Sequence, residues 1–437
     1  MTLAPLSFSA KSVRTPESPI SYFMEQAIEN PSLISLAAGL VDSASLPVGP
    51  VAEAVAKLLA DPRAAKAALQ YGTTQGYLAL REKILRHVCA LDGIRPENIG
   101  TTVQDVLVST GSQQLLYLLS EILFNPGDIV ITEAPSYFVY HSVLASGEVR
   151  VLTVPMDEEG MRTADLALLL DRLDRAGELK RVKLIYVVDY FQNPSGRTMS
   201  PVRRRELLDI VKRYRDRQRI LILEDAAYRE LRFEGDDWPS IKSHDGLNEF
   251  VIYAGTFSKP CAPGLKTGYA LLPSALLEPL TRLKGNHDFG SNNLSQYVLN
   301  ALMESGVYHE HVRYLAGVYR RKRDAMLAAL QREFGDLPGA SWTRPRGGMF
   351  VWLSLPEEIA TGPGGTLLQA SIREGVLYIP GEFGHVCEDG PKPTNEMRLS
   401  YGDASLEQID DGIRRLRRAV ETVRCKDVRK ERVAVGV

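Results

Sequence analysis

Between residues 105 and 272, short runs of β-branched and aliphatic residues alternate with longer stretches whose apolar positions recur at helical spacing. The runs Asp105–Thr110, Asp128–Thr132, Val182–Val188, Arg219–Glu224, Phe250–Gly255 and Thr267–Leu272 predict strands. The stretches Ser112–Leu123 and Pro201–Arg217 predict amphipathic helices, the second opened by Ser200 as N-cap with Pro201 at the first helical position. A run as uniformly apolar as Leu221-Ile222-Leu223 belongs in a sheet covered on both faces. The alternation predicts an α/β fold with a mostly parallel sheet sandwiched by helices.

The texture changes near residue 290. A long helical pattern over Val307–Phe334 precedes a strand pattern over Gly348–Leu355, and Ser405 with Gln408 forms a capping box at the start of a last helix. At 437 residues the chain exceeds one ordinary core. The expected division is a large α/β domain over 46–290 and a smaller α+β domain combining 1–45 with 291–437. Charge followed by a short apolar end predicts a loose tail after Cys425.

Composition narrows the function classes. Apolar residues are 44% and charged residues 24%, ordinary for a globular protein, and a formal net charge of −2 offers nucleic acid no footprint. The basic group Arg414, Arg415, Arg417 and Arg418 reads as the solvated face of the last helix. Cys89, Cys261, Cys387 and Cys425 form no CxxC pair, which fits a reducing cytoplasm and neither a disulfide scaffold nor a zinc site. His309-Glu310-His311 lacks metal spacing, so no metal is expected. No run of about 18 apolar residues suggests a membrane span. The acid-free first 16 residues read as a frayed terminus rather than a transit peptide.

Open α/β sheets bind ligands beyond the carboxyl ends of their strands, and four predicted strand ends carry unusual residues. Thr110-Gly111-Ser112-Gln113 turns straight into a helix, where free amides and the positive dipole end suit a phosphate. Tyr190-Phe191-Gln192-Asn193-Pro194-Ser195-Gly196 contains turn signals preceded by an aromatic, a Gln and an Asn that a turn does not need. Glu224-Asp225 closes an apolar strand with two acids, each costly there without a partner, and Ala226 and Ala227 leave room beside them. Ser258-Lys259-Pro260 pins a lysine at a strand end before a Gly/Pro loop carrying Lys266. A desolvated lysine has a lowered pKa and attacks carbonyls. Taken singly, each segment also fits an ordinary cap, turn, core tyrosine or solvated lysine. P-loop, GxGxxG and HExxH patterns do not occur.

In order and spacing, these segments resemble the fold-type-I pyridoxal-phosphate enzymes, specifically class I aminotransferases of the branch with 2-aminoadipate, kynurenine and valine–pyruvate aminotransferases. The resemblance spans roughly residues 30 to 420 and implies the aspartate-aminotransferase-like fold. It implies that Lys259 carries pyridoxal 5′-phosphate as a Schiff base and shuttles the proton at the substrate Cα. Asp225 would face the pyridine nitrogen, Asn193 and Tyr228 the ring's 3′-oxygen, and Tyr137 the ring face. Ser112, Gln113, Ser258 and Lys266 would hold the phosphate, with Tyr71 reaching it across a homodimer interface. Arg398, in Met397-Arg398-Leu399-Ser400-Tyr401, would fork onto the substrate α-carboxylate, which Asn193 and the backbone of Gly39 also approach. The implied reaction is ping-pong exchange of an amino group between an L-amino acid and a 2-oxo acid such as 2-oxoglutarate or pyruvate.

Two positions depart from the branch. Lys266 stands where arginine is frequent, a replacement kynurenine-type relatives share, and it supplies a point charge without a fork. The segment Ser18-Pro19-Ile20-Ser21-Tyr22-Phe23 lacks the arginine that relatives accepting acidic side chains often carry, which favours neutral, apolar or aromatic donors. Two alternatives use the same scaffold: a lyase or decarboxylase, and the effector domain of a transcription regulator. About 30 residues before the pattern are too few for the winged helix such regulators carry.

Overall fold

The computed structural model describes residues 3, 6–17, 19–30, 32–386 and 391–434. Its centre is an eight-stranded sheet of β1 (Val106–Ser109), β2 (Ile129–Ala134), β3 (Arg150–Asp157), β4 (Gly160–Met161), β5 (Val182–Val187), β6 (Leu221–Asp225), β7 (Val251–Thr256) and β8 (Gly268–Leu271), in the spatial order β1-β8-β7-β6-β5-β2-β3-β4. Strands β7, β6, β5, β2 and β3 pair in parallel, whereas β8 is antiparallel to both its neighbours and β4 is antiparallel to β3. Because β8 reverses between β1 and β7, the carboxyl ends of β1, β7, β6, β5, β2 and β3 all emerge at one edge. That edge carries every strand-end segment singled out in the sequence.

The uniformly apolar strands are explained by two buried layers. Successive side chains point to opposite faces. Leu184, Leu221, Leu223 and Ile252 accordingly join one core, while Ile185, Val187, Ile222 and Val251 join the other beneath helices Thr163–Arg175 and Pro201–Arg213. Ser200 caps the second helix, its Oγ accepting the Arg203 N–H at 3.4 Å. That helix ends at Arg213 instead of Arg217, with Tyr214 as C-cap donating its hydroxyl to Asp171 at 2.5 Å. Strand β3 escaped the sequence pattern. It is half-buried, with Arg150, Thr153 and Pro155 interrupting the apolar run, as suits a strand near a sheet edge.

Beyond residue 290, strands Ser341–Trp342, Phe350–Ser354, Glu396–Ser400 and Ile379–Pro380 form an antiparallel sheet. Helices Val307–Phe334, Leu367–Glu374 and Leu406–Ala434 pack around it. Ile34–Ser35 joins this part of the chain by pairing in parallel with Val376–Leu377. The capping box is complete: Gln408 Oε1 accepts the Ser405 N–H at 2.9 Å, and Ser405 Oγ accepts the Gln408 N–H at 3.2 Å. The last helix runs past Cys425, where the sequence pattern suggested a loose tail. Its basic face is ion-paired, Arg414 to Asp410, Arg415 to Asp411, Arg417 to Asp336 and Glu421, and Arg418 to Glu374.

Candidate active site

A cavity of about 370 Å³ opens at the carboxyl edge of the large sheet. Gly39, Ser112, Gln113, Tyr137, Asn193, Asp225, Tyr228, Ser258, Lys259, Lys266 and Arg398 all line it. Tyr71 does not; it is 87% exposed on the surface. Ser18 lies outside the described residues. Tyr22 and Phe23 lie on helix Pro19–Glu29 and are not among the lining residues; Phe23 is buried against Phe383.

One end of the cavity is built for an anion. Gly111, at φ +72°, lets the chain leave β1 and enter helix Gly111–Leu123 at once, so the amides of Ser112 and Gln113 stand at a helix N-terminus. Gly268 pairs with Ser109 on one side and Thr256 on the other, which sets the Ser112 and Ser258 loops side by side. A Cβ on Gly268 would sit 2.6 Å from the Ser112 nitrogen, so the cradle requires glycine there. Ser258 donates its N–H to Thr256 Oγ at 3.1 Å, and the two hydroxyls bond at 3.0 Å. Lys266 completes the group from a left-handed backbone conformation, φ 49° and ψ 37°. A side chain held at positive φ has an energetic cost, and here that backbone belongs to an exposed lysine on the cavity wall.

The other groups define a second, more apolar region. Lys259 Nζ donates to the Gly39 carbonyl at 2.8 Å. Burial, with Arg398 and Lys266 nearby, lowers its pKa to about 8, within reach of a neutral nucleophilic amine. Asp225 is the only carboxylate among the described lining residues. Burial pushes it up to about 6, opposed by hydrogen bonds from the Tyr186 hydroxyl at 2.9 Å and the Ala227 N–H at 3.2 Å. Its neighbour Glu224 points to the opposite face and accepts the amides of Ile241 and Lys242 at 2.8 and 2.9 Å. The two acids closing β6 thus have separate tasks, one structural and one facing the cavity.

Arg398 ties three elements together. Its Nη1 donates to Asn193 Oδ1 at 2.8 Å and its Nη2 to the Ala37 carbonyl at 2.6 Å, while Nε is buried without a partner. Its guanidinium lies 4.3 Å from the centre of the Phe350 ring. Burial lowers its pKa to about 10, which leaves it charged at neutral pH. Three of its five N–H donors remain uncommitted, enough to fork onto a carboxylate. Asn193 reaches the other way, its Nδ2 donating to Tyr228 Oη at 3.4 Å.

The residues that position this constellation were not all assigned from sequence. Glu133, at the end of β2, accepts the Val188 N–H at 3.0 Å and Gln192 Nε2 at 2.6 Å, and Gln192 Nε2 also reaches the Pro135 carbonyl at 3.1 Å. Burial pushes Glu133 up to about 8. The Gln before Asn193 therefore clamps the Tyr137 and Asn193 loops to each other. Tyr190 carries the guanidinium groups of Arg204 and Arg229 at 3.9 and 4.8 Å from its ring centre, which accounts for the aromatic in that turn. Tyr186 is the last residue but one of β5 and reads as core from sequence. A polar group two positions from a strand end was the available signal.

The donor set fits pyridoxal phosphate. It offers a phosphate cradle, a depressed lysine, a lone buried carboxylate, Ala227 and Tyr137 beside open space, and an arginine with an orphaned N–H. Residues 31–416 match the family described as aminotransferase class I and II. The aromatic-amino-acid aminotransferase 1 of Thermococcus litoralis is 35% identical, over 95% of this chain and 94% of its own length. The 2-aminoadipate transaminase of Thermus thermophilus is 34% identical, over 90% of this chain and 91% of its own. The kynurenine aminotransferase of Pyrococcus horikoshii, solved with PMP, is 33% identical with a TM-score of 0.85, covering 95% of this chain and 97% of its own. Fold, site and likeness agree: this chain belongs to the class I and II aminotransferases, enzymes that move amino groups with pyridoxal phosphate.

Proposed function

We propose that the chain transfers the amino group of a neutral, apolar or aromatic L-amino acid to a 2-oxo acid, with Lys259 as the residue that bonds the cofactor. The observation carrying this reading is the charge inventory of the cavity. Its described cations are Lys259, Lys266 and Arg398, which this reading gives to the cofactor and the α-carboxylate, and the remaining wall includes Leu40, Phe138, Val139 and Val188. A side-chain carboxylate would be desolvated there without a partner. The Thermococcus and Pyrococcus relatives, named for aromatic amino acids and kynurenine, support this; the Thermus relative, named for 2-aminoadipate, supports a dicarboxylic donor.

When bound, pyridoxal phosphate would supply an aldehyde carbon for the amino group and a ring able to accept electron density from Cα. Lys259 Nζ takes the Cα proton and returns it. Asp225 holds the proton on the ring nitrogen, since an opposite charge close by favours the charged form. Asn193 and Tyr228, hydrogen-bonded to each other, would hold the ring's 3′-oxygen, and Tyr137 would cover the ring. Ser112, Gln113, Ser258 and Lys266 anchor the phosphate. Arg398, with Asn193 and the backbone of Gly39, fixes the α-carboxylate, while Leu40, Phe138 and Val139 exclude water.

The exposed Tyr71 supports a homodimer in which its hydroxyl completes the partner's phosphate site. The large central sheet and the antiparallel sheet beyond residue 290 support a division into 46–290 and 1–45 with 291–437. A cytoplasmic enzyme is consistent with Cys89, Cys261 and Cys425 being free, Cys387 lying outside the described residues. No helix among the described residues is long and apolar enough to cross a membrane. Single-turnover rates over about twenty amino acids test the substrate class: aromatic and aliphatic donors should react fastest. Aspartate or 2-aminoadipate as the best donor would overturn it.

A further inference from the structure

Asp225 is buried, and among the described residues no cation lies within ion-pairing distance of it. A carboxylate in that setting takes up a proton unless hydrogen-bond donors stabilise its charge. Two donors do so: the Ala227 N–H at 3.2 Å to Oδ1, and the Tyr186 hydroxyl at 2.9 Å to Oδ2. The amide is backbone and cannot be varied. The hydroxyl is a choice of side chain.

The sheet register makes that contact. Tyr186 of β5 stands opposite Leu223 of β6, and Asp225 lies two residues further along on the same face. It is therefore the diagonal neighbour of Tyr186, at a spacing a long aromatic side chain spans. Tyr186 is fully buried, and among the described residues its hydroxyl has no hydrogen-bond partner except Asp225. Burial, then the adjoining Asp225 charge, hold the phenol well above its usual range, so it acts as a donor at any working pH. The Tyr140 ring packs against it with centroids 4.6 Å apart, a contact of the ring and not of the Tyr140 hydroxyl. Tyr186 therefore cannot swing away.

We propose that Tyr186 is the positioning residue for the cofactor's ring nitrogen: it keeps Asp225 ionised and aimed into the cavity in place of a counter-ion. This rests on the assignment of Asp225 to that nitrogen. Without the hydroxyl, Asp225 keeps one donor, its protonated form gains, and it no longer matches a protonated ring. A lost hydrogen bond to a charged group corresponds to about 10- to 100-fold.

The test compares Tyr186→Phe with Tyr140→Phe, which removes a neighbouring hydroxyl that does not touch Asp225. Apoprotein is titrated with pyridoxal phosphate carrying ¹⁵N in the ring; affinity is read from the binding curve and ring protonation from the nitrogen chemical shift. Matching melting temperatures establish that both variants keep the fold. The expected result is about 10- to 100-fold weaker binding and loss of the ring proton near neutral pH for Tyr186→Phe, with Tyr140→Phe within about twofold of the parent. A Tyr186→Phe protein that keeps the parent's affinity and ring protonation overturns the proposal. Asp225→Asn is the control for the underlying assignment: if it too leaves the ring protonated, the assignment of Asp225 fails and the proposal falls with it. If Asp225→Asn loses the proton and Tyr186→Phe does not, only the role of Tyr186 is refuted.

Discussion

Replacing Arg398 with lysine keeps a positive charge but removes the planar fork. The guanidinium uses one hydrogen on the Asn193 side chain and one on the Ala37 carbonyl, and offers the rest to the substrate. An ammonium has three donors, so satisfying both anchors leaves one for the α-carboxylate. The loss is one charge-assisted hydrogen bond, about 1.5–3 kcal/mol, together with the cation–π contact made 4.3 Å from the Phe350 ring centre, about 0.5–2 kcal/mol. We expect kcat/KM for amino acids to fall by roughly 30- to 5,000-fold, corresponding to about 2–5 kcal/mol. Stopped-flow single turnovers measure this, run in parallel on an amine with the same side chain and no carboxylate. The amine's rate should stay within about twofold of the parent enzyme. A loss below threefold on the amino acid, or an equal loss on the amine, would refute the assignment of Arg398 to the carboxylate.

Three further outcomes follow from the geometry. In the apoprotein, the half-buried Lys259 lowers stability at neutral pH, because its folded pKa of about 8 lies below its unfolded value of 10.5. Lys259→Met should therefore stabilise it by about 2–3 kcal/mol below pH 8, an advantage that fades as pH rises toward 10.5 in thermal melts; a destabilised variant at pH 7 contradicts this. Gly268→Ala places a methyl 2.6 Å from the Ser112 nitrogen and should weaken cofactor binding at least tenfold by fluorescence titration, whereas unchanged affinity would place the phosphate elsewhere. Tyr71→Phe should weaken cofactor retention by about tenfold, yet a mixed dimer of Tyr71→Phe and Lys259→Ala subunits should contain one site of full affinity, with its Tyr71 supplied by the other subunit. Weak binding at that site would remove the shared-site reading.

The sequence exposed those parts of the site that break a local rule. A lysine pinned at a strand end, two acids closing an apolar strand and a Gln-Asn pair ahead of a turn each conflict with what a bare scaffold needs, and Lys259, Asp225 and Asn193 line one cavity. What stayed hidden depends on register and tertiary contact. Tyr186 obeys every rule for a core strand residue, and only the pairing of β5 with β6 places its hydroxyl on Asp225. Glu133 and Gln192 are distant in sequence and meet because β2 and β5 are sheet neighbours. Strand β3, next to the edge strand β4, is half-buried and interrupted by polar positions, so its sequence carries no clean strand pattern. The left-handed backbone of Lys266 had no signal, since lysine is not a residue that favours it.

Amino-group transfer at this site requires Lys259 to be the amine that bonds the cofactor. Holoenzyme reduced with borohydride, digested and sequenced by mass spectrometry should carry the phosphopyridoxyl group on Lys259. If the label sits on Lys266 or another lysine, or if Lys259→Ala is labelled as fully as the parent, that claim is wrong.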